Sequence, residues 1–278
     1  MTNNPLSAYY RQPGIQIQLP SKGKYYSHEI ETSINGDIPV YPMTASDGII
    51  INNPDGLING SSIEEVIKSC CPAIKYPRDL SVVDVDVILL AIKLVSFGPK
   101  MEIVGICPKC QHKSKYDFNV RDLLDAAKPL PEIEDIRLTD ELLATVRPYS
   151  FETSTILSMA EFEEAKLLQI LLGEESITDE KRVKAMADSF RRLTDLSLDV
   201  LYQSVVKITT PAGEVTDKKF IREFLKNTSS TIVKMIQAKQ EELNKFGMPK
   251  SQSVVCTNEE CQHHWDLPIE YDPSSFFA

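Results

Sequence analysis

The sequence predicts an α+β fold: short helices and two cysteine-bearing β-hairpins, with a mainly helical domain inserted between the hairpins. Three observations carry this expectation. Two stretches of period-two sequence run into paired cysteines, Cys107/Cys110 and Cys256/Cys261. Capping signals and stripes of helical period precede the first pair and fill most of the space between the two. Residues 1–40, rich in Pro, Gly, Asn and Tyr, show no helical period.

The opening stretch therefore reads as an extended N-terminal arm with short strands, residues 1–45. Residues 46–128 read as a helical segment plus the first cysteine hairpin. Thr44–Asp47 (TASD) and Ser62–Glu65 (SIEE) both fit a capping box, in which a hydroxyl and a carboxylate satisfy each other's amides at a helix start. In the second helix Ile63, Val66, Ile67 and Cys70 form one buried stripe, giving Cys70 the role of a small core residue. A third box, Ser81–Asp84 (SVVD), opens a strongly apolar helix expected to run to Phe97 and stop at Gly98–Pro99. Alternation in MEIVGI and KSKYDF, on either side of Cys107-Pro108-Lys109-Cys110, then predicts a hairpin whose turn carries the cysteines.

Residues 129–248 read as a second hairpin, with strands near Ile133–Leu138 and Leu142–Tyr149, followed by a helical insertion. Its apolar stripes are Val183, Met186, Phe190, Leu193 and then Leu198, Leu201, Val205, Ile208, with Thr209–Thr216 (TTPAGEVT) as a turn. Gly247 and Pro249 end the last helix. Residues 249–278 complete the chain as the second cysteine hairpin and a C-terminal tail. The sequence shows no internal repeat and no low-complexity segment.

Composition bounds the function class. The 278 residues are 42% hydrophobic and 25% charged, as in an ordinary globular protein. The longest apolar run, Val85–Val95, is interrupted by Asp86 and Lys93, and the N-terminus lacks the order of a signal peptide, so the expectation is a soluble protein of a cytoplasm, with no membrane partner. A net charge of −10 with no gathering of basic residues argues against nucleic acid.

In a reducing compartment six cysteines read as buried thiols or metal ligands before disulfides. A tight turn with cysteines two to four residues apart supplies two corners of a tetrahedral zinc site, and this chain has two such turns. With 145 residues between Cys110 and Cys256, the pairs would form a split zinc ribbon, the metal closing over the insertion. The expected ligands of a structural zinc are Cys107, Cys110, Cys256 and Cys261; mixed ligation through His112, His263 or His264 is the alternative. Four thiolates close the coordination shell and leave no open position for catalysis. The four histidines, His28, His112, His263 and His264, lie outside the helical body, and no glycine-rich phosphate loop is present. Glu161, Glu163 and Glu164 read as a solvated helix face. No catalytic residue, small-molecule substrate or enzymatic role is expected.

Four phrases, LPSKGKYY (Leu19–Tyr26), VYPMTASD (Val40–Asp47), MEIVGICPKC (Met101–Cys110) and DPSSFF (Asp272–Phe277), together resemble the baseplate hub family of T-even-type contractile-tailed phages. Where many relatives have an acidic run after PMTA, this chain has Ser46-Asp47-Gly48. The resemblance implies a virion protein of the tail baseplate, assembled in the host cytoplasm. Neighbouring hub and tail-tube proteins would be its partners, or a tape-measure protein if it is an assembly chaperone that leaves the finished particle. It supplies no catalytic residues.

Two segments are expected to touch such partners. Around Leu19–Tyr26, Lys22-Gly23-Lys24 gives a charged bend, and Tyr25 and Tyr26 add amphipathic rings of the kind enriched at interfaces. The same segment could instead be an edge strand laid on the protein's own core. In the tail, Phe276 and Phe277 lie beyond Pro273, either seated in a partner or folded back onto the helical domain.

Overall fold

Burial of the apolar stripes organises the chain into two units in the computed structural model, which describes residues 4–173, 179–269 and 271. The first comprises the described parts of Met1–Leu57, Ser61–Leu130 and Lys245–Ala278; the second comprises Ile58–Gly60 and Pro131–Asn244. The arm, the first helical segment and both cysteine hairpins, separate stretches of sequence, thus share one unit.

That unit begins with a short 3-10 turn at Pro5–Tyr9. Strand β1 (Ile15–Ile17) pairs antiparallel with β2 (Ile38–Val40), Ile15 opposite Val40. Helix α1 (Ala45–Ile51) opens on the expected box: Thr44 Oγ1 accepts from the Asp47 amide while Asp47 accepts from the Thr44 amide. After the short α2 (Pro54–Ile58), α3 (Ser61–Cys70) starts one residue before its supposed cap. Ser62 is instead a buried helical residue whose hydroxyl donates to the Ile50 carbonyl at 2.7 Å. Ile63, Val66, Ile67 and Cys70 are all buried.

The centre of the unit is α4 (Val82–Phe97), capped by Ser81 and stopped by Gly98, whose φ of 87° suits glycine alone. Its two charged interruptions are accommodated separately. Asp86, which burial pushes above the usual carboxylate range, receives Lys250 Nζ at 2.8 Å, so the post-insertion segment is tied back to α4. Lys93 is buried, with its ammonium 5.6 Å from the Phe97 ring centroid, and burial lowers its pKa. Hairpin strands β3 (Lys100–Ile106) and β4 (Lys113–Asn119) lead into α5 (Val120–Asp125).

The second unit holds β5 (Asp135–Arg137), β6 (Leu143–Val146), α6 (Phe151–Gly173), α7 (Asp179–Ser204), β7 (Val205–Thr210), β8 (Gly213–Val215), α8 (Lys218–Asn227) and α9 (Ser230–Leu243). Its strands form one antiparallel sheet in the order β5-β6-β7-β8. This corrects the helical reading: Val205 and Ile208 are strand residues, and Thr209–Thr216 contains the turn of a hairpin. Five of the six residues of β7 are β-branched, which stiffens them in a helix and suits a pleated surface. Val205 and Ile208 still reach the core, because their cross-strand neighbours on β6, Val146 and Ala144, are buried too. The chain then returns to the first unit for β9 (Ser251–Val255) and β10 (His264–Pro268), a second antiparallel hairpin.

Candidate metal centre

Each hairpin ends in a turn of the same construction. In β3–β4 the Cys107 amide donates to the His112 carbonyl at 3.0 Å, and the Gln111 amide donates to the Cys107 carbonyl at 2.9 Å. In β9–β10 the Cys256 amide donates to His263 at 2.9 Å, while the Cys261 and Gln262 amides both donate to Asn258. The residue after the second cysteine is left-handed in both, Gln111 at φ 59° and Gln262 at φ 42°. Each turn reads Cys-Gln-His at its end, residues 110–112 and 261–263. This short repeat corrects the expectation of none, and it was visible in the sequence. What the sequence alone lacked was a reason to connect those glutamines with a special backbone conformation.

The two hairpins face each other across a glycine. A Cβ at Gly105 would lie 2.6 Å from Leu267 Cδ1 and 3.1 Å from Trp265 Cη2, so the single tryptophan lies directly against β3. Tyr116 meets the same indole edge-on at 6.3 Å. Beside the turns Ser114 Oγ and Thr257 Oγ1 share a 2.6 Å hydrogen bond. An isolated Gly in an alternating strand signals close approach of another element, and that signal marks Gly105.

These contacts converge the cysteines. The Sγ atoms of Cys107, Cys110, Cys256 and Cys261 all lie within 4.8 Å of one another, with Cys110 and Cys256 3.6 Å apart. A tetrahedral site with metal–sulfur bonds of about 2.3 Å has sulfurs about 3.8 Å apart. The four could therefore hold a metal ion. Among the described residues they are the one such cluster, and His112, His263 and His264 are not part of it. Burial opposes ionisation of Cys107, but amide hydrogen bonds from Cys110 and Lys109 and the neighbouring thiols draw its pKa down to about 7. Burial together with Cys110 and Cys107 pushes Cys256 up to about 12, against the Asn258 amide. Charge on one sulfur thus opposes ionisation of the next, and a cation among them would relieve that opposition.

The other predicted site residues are placed differently. Leu19 is buried in the first unit's own core, and two residues on, the Ser21 amide donates to Asp84 Oδ1 at 2.9 Å. Tyr25 and Tyr26 are half-buried, and Tyr26 Oη accepts the Tyr76 amide at 2.8 Å. Lys22 alone of the four is exposed. This stretch is laid largely on its own unit as a run of turns, not as an edge strand. Phe276 and Phe277 lie outside the described residues.

A latch that the sequence did not single out holds the arm. Arg11 donates to the Pro42 and Ser69 carbonyls at 2.7 Å each, to Ser69 Oγ at 2.9 Å and to Asp47 Oδ2 at 3.3 Å. The same Asp47 oxygen accepts from Thr44 and Ser69. Asp47 is thus used internally.

A family model described as T4 bacteriophage base plate protein matches residues 13–278. The chain belongs to this family. The match spans both units and both cysteine turns, so the convergence of the hairpins is a feature of a T4-type phage baseplate protein. Such membership implies interaction with other phage structural proteins and a place in the virion tail. No curated protein and no solved structure matches the chain. No helix among the described residues is long and apolar enough to cross a membrane.

Proposed function

We propose that this baseplate protein is a structural subunit of the hub, in which a zinc ion on Cys107, Cys110, Cys256 and Cys261 locks the C-terminal hairpin to the N-terminal part of the first unit. The observation that supports this reading is the approach of four sulfurs within 4.8 Å, from two turns separated in the chain by Pro131–Asn244 of the second unit. Zinc suits four thiolates, and a closed four-sulfur shell has a structural role and no catalytic one. The metal then fixes where the chain beyond Pro268 leaves the body, so that the tail is presented to a hub or tail-tube neighbour in one place. At the arm, Lys22 and the exposed edges of Tyr25 and Tyr26 are the groups offered to such a neighbour.

Two measurements test the reading. Elemental analysis of the full chain is expected to give one zinc per molecule, and loss of zinc in the Cys256→Ser variant. Mass spectrometry of purified virions is expected to find the protein at a few copies per particle. Its absence from virions, with accumulation in infected cells, would overturn the subunit role in favour of an assembly chaperone.

A further inference from the structure

The two cysteine turns bring together thiols of unequal access. Cys110 is exposed, whereas Cys256, 3.6 Å away on the other hairpin, is buried. The pair is 146 positions apart in the chain, yet contacts beside the sulfurs hold the two hairpins together. These are the Ser114–Thr257 hydrogen bond at 2.6 Å and the packing of Leu267 and Trp265 against Gly105. A disulfide bond of about 2.0 Å therefore asks the two sulfurs to approach by only about 1.6 Å.

We propose that the metal-free cluster is a redox-sensitive clasp, in which Cys110 and Cys256 form a disulfide between the hairpins by exchange with a small disulfide such as glutathione disulfide. The exposed Cys110, as thiolate, attacks one sulfur of glutathione disulfide, forming a mixed disulfide and releasing one glutathione thiolate. Cys256 needs no access to solvent for the second step. Its thiolate attacks Cys110 Sγ, forming the protein disulfide and releasing the second glutathione thiolate. The two protein thiols give up two electrons and two protons, and the added disulfide is reduced to two glutathione molecules. The inference uses the same sulfurs as the zinc reading but does not depend on the metal. On the subunit reading the protein leaves a reducing cytoplasm in a particle released to an oxidising exterior, and there the bond keeps the hairpins joined once metal is lost.

The test incubates the full chain with glutathione disulfide at neutral pH, with either excess zinc or a chelator. With chelator, non-reducing peptide mapping is expected to find Cys110 joined to Cys256. The closed loop should also run faster in a denaturing gel until it is reduced. The oxidised metal-free chain is expected to melt roughly 5–15 °C above the reduced metal-free chain, because the bond closes a long loop. Cys256→Ser is expected to stop at the mixed disulfide, with one glutathione on Cys110. In denaturant the preference is expected to vanish, since Cys107 and Cys110 then meet far more often than partners 146 positions apart. Excess zinc is expected to slow the cross-link roughly tenfold or more by occupying the sulfurs. Equal rates with and without zinc would support the clasp and count against the zinc reading alone. A folded wild type that forms no disulfide, or forms it within one turn as Cys107–Cys110 or Cys256–Cys261, would overturn the proposal. So would an oxidised chain no more stable than the reduced one.

Discussion

At Gly105 the absence of a side chain is what lets the hairpins meet, since 2.6 Å to Leu267 leaves no room for a methyl group. Gly105→Ala is expected to cost about 1–3 kcal/mol through overpacking. It should also loosen the cysteine cluster, read as weaker zinc retention against a chelator. An unchanged melting temperature and affinity would show that β10 gives way freely. Asp47 supports a pH prediction. Burial would raise its carboxyl, but the hydrogen bonds from Thr44 and Ser69 and the Arg11 charge outweigh burial and hold it below its usual value. A depressed carboxylate stabilises the fold above its unfolded value of about 4, and that contribution is lost as pH falls through the lower folded value. Asp47→Asn should therefore lower stability at neutral pH and flatten the loss below about pH 4. An acid limb identical to wild type would refute the latch. The sequence revealed Asp47 as a capping residue, because Thr44 lies three positions away, but not as the anchor of the arm, because Arg11 is 36 positions away.

Helix α4 shows how far local signals reach. Its start at Ser81 and its end at Gly98 were legible because capping and a left-handed terminator are properties of neighbouring residues. Ser81→Ala removes a hydroxyl that accepts the Asp84 amide at 3.3 Å and donates to its carboxylate at 2.6 Å. The expected cost is about 1 kcal/mol, or about 2–4 °C in thermal melting. A change of less than about half a degree would mean that Ser21 alone holds Asp84. Strand β7 marks where local reading stopped. The apolar spacing of Leu198, Leu201, Val205 and Ile208 suits a helix, yet the chain turns to strand at Val205. The deciding partner is β6, a strand that begins 62 residues earlier in the chain. The α7 stripe is the converse case: its period was legible, while its exposure depends on the surroundings.

For the molecule as a whole, the metal couples segments on either side of the second unit. Each cysteine hairpin has two strands only, and such a hairpin is marginal by itself in water. Chelation is therefore expected to lower the thermal stability of the first unit and to shift the emission of Trp265, which lies between the hairpins. A metal-free preparation with the same melting temperature and spectrum would exclude a structural metal. Changing Phe276 and Phe277 to Ala is expected to move melting by no more than about one or two degrees while abolishing incorporation into baseplates. A large loss of stability would place those rings in the core instead. The sequence by itself determined the thiols and their paired spacing, the helix caps, the apolar α4 and the phrases shared with the baseplate family, since each is carried by residues close together in the chain. Tertiary structure alone decided how the two cysteine hairpins pack across Gly105, that the arm is latched by Arg11, that Val205 leaves a helix for a sheet and that Val183, Met186 and Phe190 of the α7 stripe stay exposed. Each of these depends on contacts between residues distant in sequence, whose free energy no local pattern records.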